Sequence, residues 1–211
     1  MLILATMRNK ISFLEFKDRL KSFPIFSTQD IHKSFPNLHR RRLYEWRNRN
    51  LIKPVMRGYY IFSDIDVSEE LLYTIANRIY EPSYISLQSA LSWHNLIPEF
   101  VSQITSVSTK KTTVLATELG SFAYFSVRKE LMFGHDLIRK VKMASPEKAV
   151  LDLFYLNSSI ESEEQFSELR INMEIFREKI SMNKLKQYLL LFASKALTKR
   201  VTNFVEFMEN A

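Results

Sequence analysis

The chain has 211 residues, 46% hydrophobic and 13% aromatic, with a formal net charge of +7, enough apolar material for one large core or two small ones. The absence of cysteine excludes disulfides and thiolate zinc sites, and three glycines cannot supply a phosphate-cradling loop. No apolar run approaches a membrane span, and the opening MLILATM lacks the length and order of a signal peptide, so the expected location is cytoplasmic.

The charge is uneven. Through Ser63 the chain carries 13 basic and four acidic side chains; the rest carries 17 and 19. The positive charge belongs to the N-terminal segment, and such a block attracts phosphate backbones through counterion release.

Ile11 to Phe23 places Phe13, Phe16 and Leu20 at helical spacing and stops at Pro24, which predicts a first helix. Ser27 or Thr28 caps a second, with Asp30 in its first turn and Phe35-Pro36 at its end. A third begins at Asn37, runs through Arg40, Arg41 and Arg42 to Arg49, and breaks at Asn50. Two β-rich runs follow, Leu51–Met56 and Tyr59–Phe62, joined by Arg57-Gly58. Three helices and a tight hairpin are the order of a winged helix-turn-helix, expected over residues 1–63.

At 100° per residue, Leu43, Trp46 and Asn50 share one face of the third helix, with His39 beside them; this face packs inward. Arg41, Tyr44, Glu45 and Asn48 fall on the opposite face, with Arg40, Arg42 and Arg49 on the flanks. The outward donors and acceptors match base edges, and the flanking arginines suit phosphates. Arg47 of the helix, with Lys53 and Arg57 of the hairpin, completes the expected DNA-binding set.

Ser63-Asp64-Ile65-Asp66 is short and polar and marks the boundary to a second domain, 64–211. Asp66 with Glu69 forms a capping pattern for a helix through about Tyr80, and Ser86 caps another, Leu87 to Asn95. From Val101 the period changes to two: Gln103–Ser108, Thr113–Ala116 and Phe122–Val127 predict strands, with Glu118-Leu119-Gly120 as a turn. Leu137 to Met143 adds one more strand. Ser145-Pro146-Glu147 starts a helix over Pro146–Leu156 that buries Val150, Leu151, Phe154 and Tyr155. From Ser162 the chain is helical, with amphipathic stretches Met182–Phe192 and Ala196–Met208; Lys199 and Arg200 lie on the polar side of the second. The class is α+β, a winged helix followed by a mixed α/β domain with a helical C-terminus.

Catalytic chemistry is sparse. His32, His39, His94 and His135 are scattered, with no pair at i+3 or i+4, so no metal site is expected. Glu147, Lys148 and Asp152 near a helix start could serve a metal-dependent nuclease. Helix electrostatics also accounts for them: Glu147 favours the N-terminus, and Lys148 pairs with Asp152 at i, i+4. Trp93 and His94 are expected in a core. A third alternative is a basic module for RNA or protein. No catalytic residue, metal or cofactor is assigned.

The second domain carries a series of short motifs in a definite order. They are Tyr84-Ile85-Ser86-Leu87-Gln88-Ser89-Ala90-Leu91, Leu96-Ile97-Pro98, Ile104 to Lys111, Gly120-Ser121-Phe122, and Ala144-Ser145-Pro146-Glu147-Lys148-Ala149-Val150-Leu151-Asp152. In order and spacing the chain resembles the AbiEi family, the antitoxins of abortive-infection type IV toxin–antitoxin systems, over nearly its whole length. The resemblance implies a winged helix that binds double-stranded operator DNA, with inverted repeats, and represses its operon. It also implies a C-terminal domain that counteracts a nucleotidyltransferase toxin without a stable complex. Asn50 departs from the family, which usually ends the third helix with glycine; asparagine tolerates the same left-handed conformation.

Overall fold

The computed structural model describes residues 11–98 and 102–210, and the chain divides into two compact units at Val67/Ser68. The architecture is mixed α and β with a helical C-terminus.

In the first unit, Ser12 caps α1 (Phe13–Leu20) by accepting the Glu15 amide. This helix is shorter than Ile11–Phe23, because the chain turns at Lys21-Ser22 before Pro24. A two-residue strand absent from the sequence reading follows, β1 (Phe26–Ser27). Ser27 and Asp30 then cap α2 (Thr28–Ser34) through a reciprocal capping box. α3 (Arg40–Asn48) starts three residues after Asn37, since a turn at Pro36-Asn37 leaves His39 as the N-cap. β2 (Ile52–Met56) and β3 (Tyr59–Phe62) form the hairpin, and the sheet order is β1-β3-β2, all antiparallel. A register shift lies between Pro54 and Met56, next to the proline that cannot donate to the ladder. Phe16, Phe26, Phe35, Trp46 and Phe62 make the core, with Phe16 and Trp46 ring centroids 4.4 Å apart. Each such ring contributes about 1.5–3 kcal/mol by burial. Lys17 of α1 pairs with Asp64, which keeps the polar stretch after Ser63 with this unit.

The second unit holds β4 (Ser83–Ile85), β5 (Gln103–Ser108), β6 (Thr113–Thr117), β7 (Gly120–Ser126), β8 (His135–Ile138) and β9 (Val141–Ala144), in the order β6-β7-β5-β4-β9-β8. β5 with β7 and β4 with β9 are parallel; the other neighbours are antiparallel. The single strand expected over Leu137–Met143 is two. Arg139 and Lys140 both take positive φ, 47° and 72°, and close a tight hairpin ordinarily signalled by Asn-Gly.

Ser68, not Asp66, caps α4 (Glu69–Ile79), accepting the Leu71 amide. α5 (Leu87–Trp93) packs on β5 through Ser89 and Thr105, whereas Tyr124 donates to the Ala76 carbonyl of α4. Thr105 pairs with Ala123, the neighbour of Tyr124, so α4 and α5 cover opposite faces of the sheet. α6 (Pro146–Leu156) starts at Ser145 as expected, but Tyr155 is only half-buried. α7 (Glu163–Glu168), α8 (Met173–Lys179), α9 (Met182–Phe192) and α10 (Lys195–Asn210) complete the chain. Phe154 of α6, Phe166 of α7, Phe176 of α8 and Phe204 of α10 form a shared aromatic core. Arg200 is not a solvated charge, since its guanidinium donates to the Phe154 carbonyl. Among the described residues no helix is long and apolar enough to cross a membrane.

Candidate nucleic-acid interface

α3 owes its orientation to Trp46, which is buried against Phe13 and Phe16. Its C-terminus is closed by a Schellman motif. Asn50, at φ 51°, donates to the Arg47 carbonyl, and Leu51 donates to the Trp46 carbonyl, both at 2.9 Å. His39 and Asn50 are exposed, not part of the packing face: one caps the helix and the other lies past its end.

With Trp46 inward, Arg47, Arg40, Tyr44, Asn48 and Arg41 follow one another around an outward arc of about 120°, and all five are exposed. Arg40 therefore belongs to the outward face rather than to its flank. The Arg47 guanidinium lies over the Tyr44 ring at 5.6 Å. Arg41 reaches Glu45 at 3.4 Å, but its side chain is 82% exposed. A surface pair of this kind contributes only a few tenths of a kcal/mol up to about 1 kcal/mol, so Arg41 can exchange it for another partner.

Arg42 is different. Its side chain is 22% exposed, donates to Glu45 at 2.8 Å and to the Ile11 carbonyl at 3.0 Å, and lies over Trp46 at 5.1 Å. Glu45 and the Ile11 carbonyl hold its two terminal nitrogens and the indole lies against its plane, so a phosphate would have to compete with these partners. Glu45, expected outward, is half-buried and shared by the two arginines.

Arg49 is exposed at the end of α3, Lys53 is half-buried on β2, and Arg57 is exposed in the hairpin turn. The Thr28 amide bonds the Gly58 carbonyl at 2.8 Å, pinning the turn to the start of α2. Sequence reasoning missed the contribution of α2. A groove of about 440 Å³ between α2 and α3 has a floor including Ile31, Phe35 and Leu43, and His32, Lys33 and Arg40 around it. Lys33 sits in the last turn of α2, and only the packing of α2 on α3 reveals that it joins Arg40.

The candidate nuclease residues lie in the second unit, where Lys148 and Asp152 pair with each other and Glu147 does not join them. Asp152 is fully buried; Lys148 reaches one of its oxygens, while the Tyr84 hydroxyl at 2.9 Å and the Ser86 hydroxyl at 2.8 Å donate to the other. Lys148 is also fully buried, with its ammonium among the rings of Tyr84, Phe133 and Phe192. Burial pushes the Lys148 ammonium down and the Asp152 carboxyl up, against their mutual attraction. Ser86, expected to cap α5, makes no capping bond because its hydroxyl is committed to Asp152. Leu87, the next residue, has φ 56°, a costly conformation for leucine.

Glu147 turns to other partners, accepting the Ser181 amide at 3.1 Å and pairing with Lys184 at 3.1 Å. Burial works to raise its carboxyl, but the amides, Ser145 and Lys184 leave it below the usual range. The sequence reading of an i, i+4 pair holds for Lys148 and Asp152, but not as surface electrostatics. Among the described residues no cluster of three His, Asp or Glu could hold a metal ion. Trp93 packs edge-on against Tyr73 at 5.7 Å, and the His94 ring bonds the Ala144 carbonyl at 2.8 Å. No protein-family model matches the sequence, and no curated protein does.

Proposed function

We propose that the protein is a DNA-binding repressor whose first unit is a winged helix-turn-helix, and that the whole chain is the antitoxin of a type IV toxin–antitoxin operon. The observation that carries the DNA reading is the outward arc of α3. Arg47, Arg40, Tyr44, Asn48 and Arg41 stand exposed on a helix whose opposite face is fixed to an aromatic core. The element order α1-β1-α2-α3-β2-β3 and the sheet order β1-β3-β2 support it, because they present α3 with a hairpin beside it. Arg41, near the helix start, is placed for guanine edges; Arg40, Arg47 and Arg49 suit the backbone.

The antitoxin reading is supported by the resemblance to the AbiEi family. Its motifs fall on β4 to α5, on β5, and on β9 to α6, and the first and last of them meet where Tyr84, Ser86 and Lys148 surround Asp152. The counterpart is a nucleotidyltransferase toxin, countered without a stable complex, and the protein acts by binding rather than by catalysis. A reporter fused to the protein's own promoter tests both halves. The full chain should repress it and should rescue cells from the cognate toxin, whereas a fragment ending at Val67 should retain DNA binding and lose rescue. Absence of repression by the full chain, or rescue by the fragment alone, overturns the reading.

A further inference from the structure

An edge strand presents unpaired N–H and C=O groups, and proteins ordinarily blunt such edges with charge, proline, brevity or a cover. The six-stranded sheet ends in β6 on one side and β8 on the other. β8 is blunted: it has four residues, carries the exposed Asp136, and runs into the Arg139-Lys140 turn. β6 is not. Thr113-Val114-Leu115-Ala116-Thr117 contains no charge, proline or glycine, and among the described residues only β7 pairs with it. Alternate residues of such a strand turn their main-chain groups away from the partner. Val114 is 58% exposed, and Ala116 is exposed on the same side of the sheet.

We propose that β6 is a self-association edge: two copies of this chain join their sheets by antiparallel β6–β6 pairing about a two-fold axis through Leu115. The strand is close to a palindrome. On that axis Thr113 of one copy faces Thr117 of the other, Val114 faces Ala116, and Leu115 faces itself, which is the self-complementarity an isologous contact requires. Threonine pairs and apolar pairs across strands are both favourable.

Charge selects the second copy and the antiparallel sense. Lys110 and Lys111 precede the strand and Glu118 follows it, all three exposed. Antiparallel pairing sets each copy's lysines beside the other's glutamate, twice; parallel pairing would set lysines against lysines. Among the described residues, Lys111 and Glu118 enter no ion pair within the chain. A five-residue edge buries much less than the roughly 1,200 Å² of a stable interface, so the association is weak and concentration-dependent.

Analytical ultracentrifugation of the full chain, without DNA, from low micromolar to near-millimolar loading tests this. The average mass should rise from monomer toward dimer. The double substitution Val114→Lys, Ala116→Lys should hold the protein monomeric with an unchanged thermal midpoint, because both side chains point to solvent. Glu118→Lys should weaken dimerisation, and adding Lys110→Glu and Lys111→Glu should restore it. In the unaltered protein, amide exchange in β6 should slow as concentration rises. A monomer at every loading, a dimer indifferent to the two lysines, or β6 amides indifferent to concentration overturns the proposal.

Discussion

Arg41 and Arg42 are adjacent in sequence and opposite in surroundings. Arg41 is exposed and weakly tied to Glu45, while Arg42 bridges Glu45, the Ile11 carbonyl and the Trp46 ring. Arg41→Ala should lower affinity for the operator more than for random duplex, by about 1–3 kcal/mol of discrimination if it pairs with guanine. Arg42→Ala should instead destabilise the first unit by about 1 kcal/mol or more, because two half-buried acceptors lose a charged donor. A competition titration and a denaturant melt on both variants separate these effects; equal specificity ratios and equal midpoints would contradict the assignment. His94 in the second unit gives a pH signature. Burial, chiefly, holds its imidazole below the ordinary 6.5, with Lys179 and Lys184 adding to the shift; His135 is lowered by burial too. As pH falls through that ordinary value the unfolded chain takes up protons that the folded chain refuses, so stability is full above it and declines below. The thermal midpoint of the full chain should be lower at mildly acidic than at mildly alkaline pH. His94→Gln should shrink the difference, and a midpoint that does not fall on acidification would contradict the burial of these rings.

At the scale of elements, α3 depends on its closing residue. Asn50 sits at φ 51°, a conformation that costs most side chains about 1–2 kcal/mol and glycine almost nothing. Asn50→Gly should therefore leave the melting midpoint unchanged or raise it, and Asn50→Ala should lower it; the reverse order would remove the Schellman ending. α6 depends on its buried pair in the same way. Lys148→Met leaves Asp152 buried without its cation and should cost about 3–5 kcal/mol, read from a urea melt of the full chain. Adding Asp152→Leu should recover part of that loss, and a neutral single variant would contradict the pairing. Much of this was legible in advance. Pro24, Ser27 with Asp30, Ser145-Pro146 and the β-rich runs each carry local signals, and the elements follow them. β1 was not legible, because two residues have no periodicity and their strand exists only by pairing with β3. The β8–β9 turn was missed because Arg139-Lys140 carries no left-handed signal. Arg42, Lys148 and Asp152 were read as surface charges because helical spacing places them on helix faces without saying what covers those faces.

Across the whole molecule, charge is divided unequally between the two units. The first 63 residues hold 13 basic and four acidic side chains, and the remainder is nearly balanced, so attraction to a polyanion is a property of the first unit. The second unit contributes a sheet with one unblunted edge and a buried polar cluster, neither suited to a phosphate backbone. The central claim is that the outward arc of α3 binds duplex DNA. Its most direct test is a fluorescence-anisotropy titration of the full chain against its own promoter duplex over a series of salt concentrations, with Arg47→Ala alongside. Log affinity should fall linearly with log salt, and losing the Arg47 contact should flatten the slope by about 0.9. The promoter duplex should outcompete a scrambled duplex at every salt. No binding at low salt, or an Arg47→Ala slope equal to that of the unaltered chain, would contradict that claim.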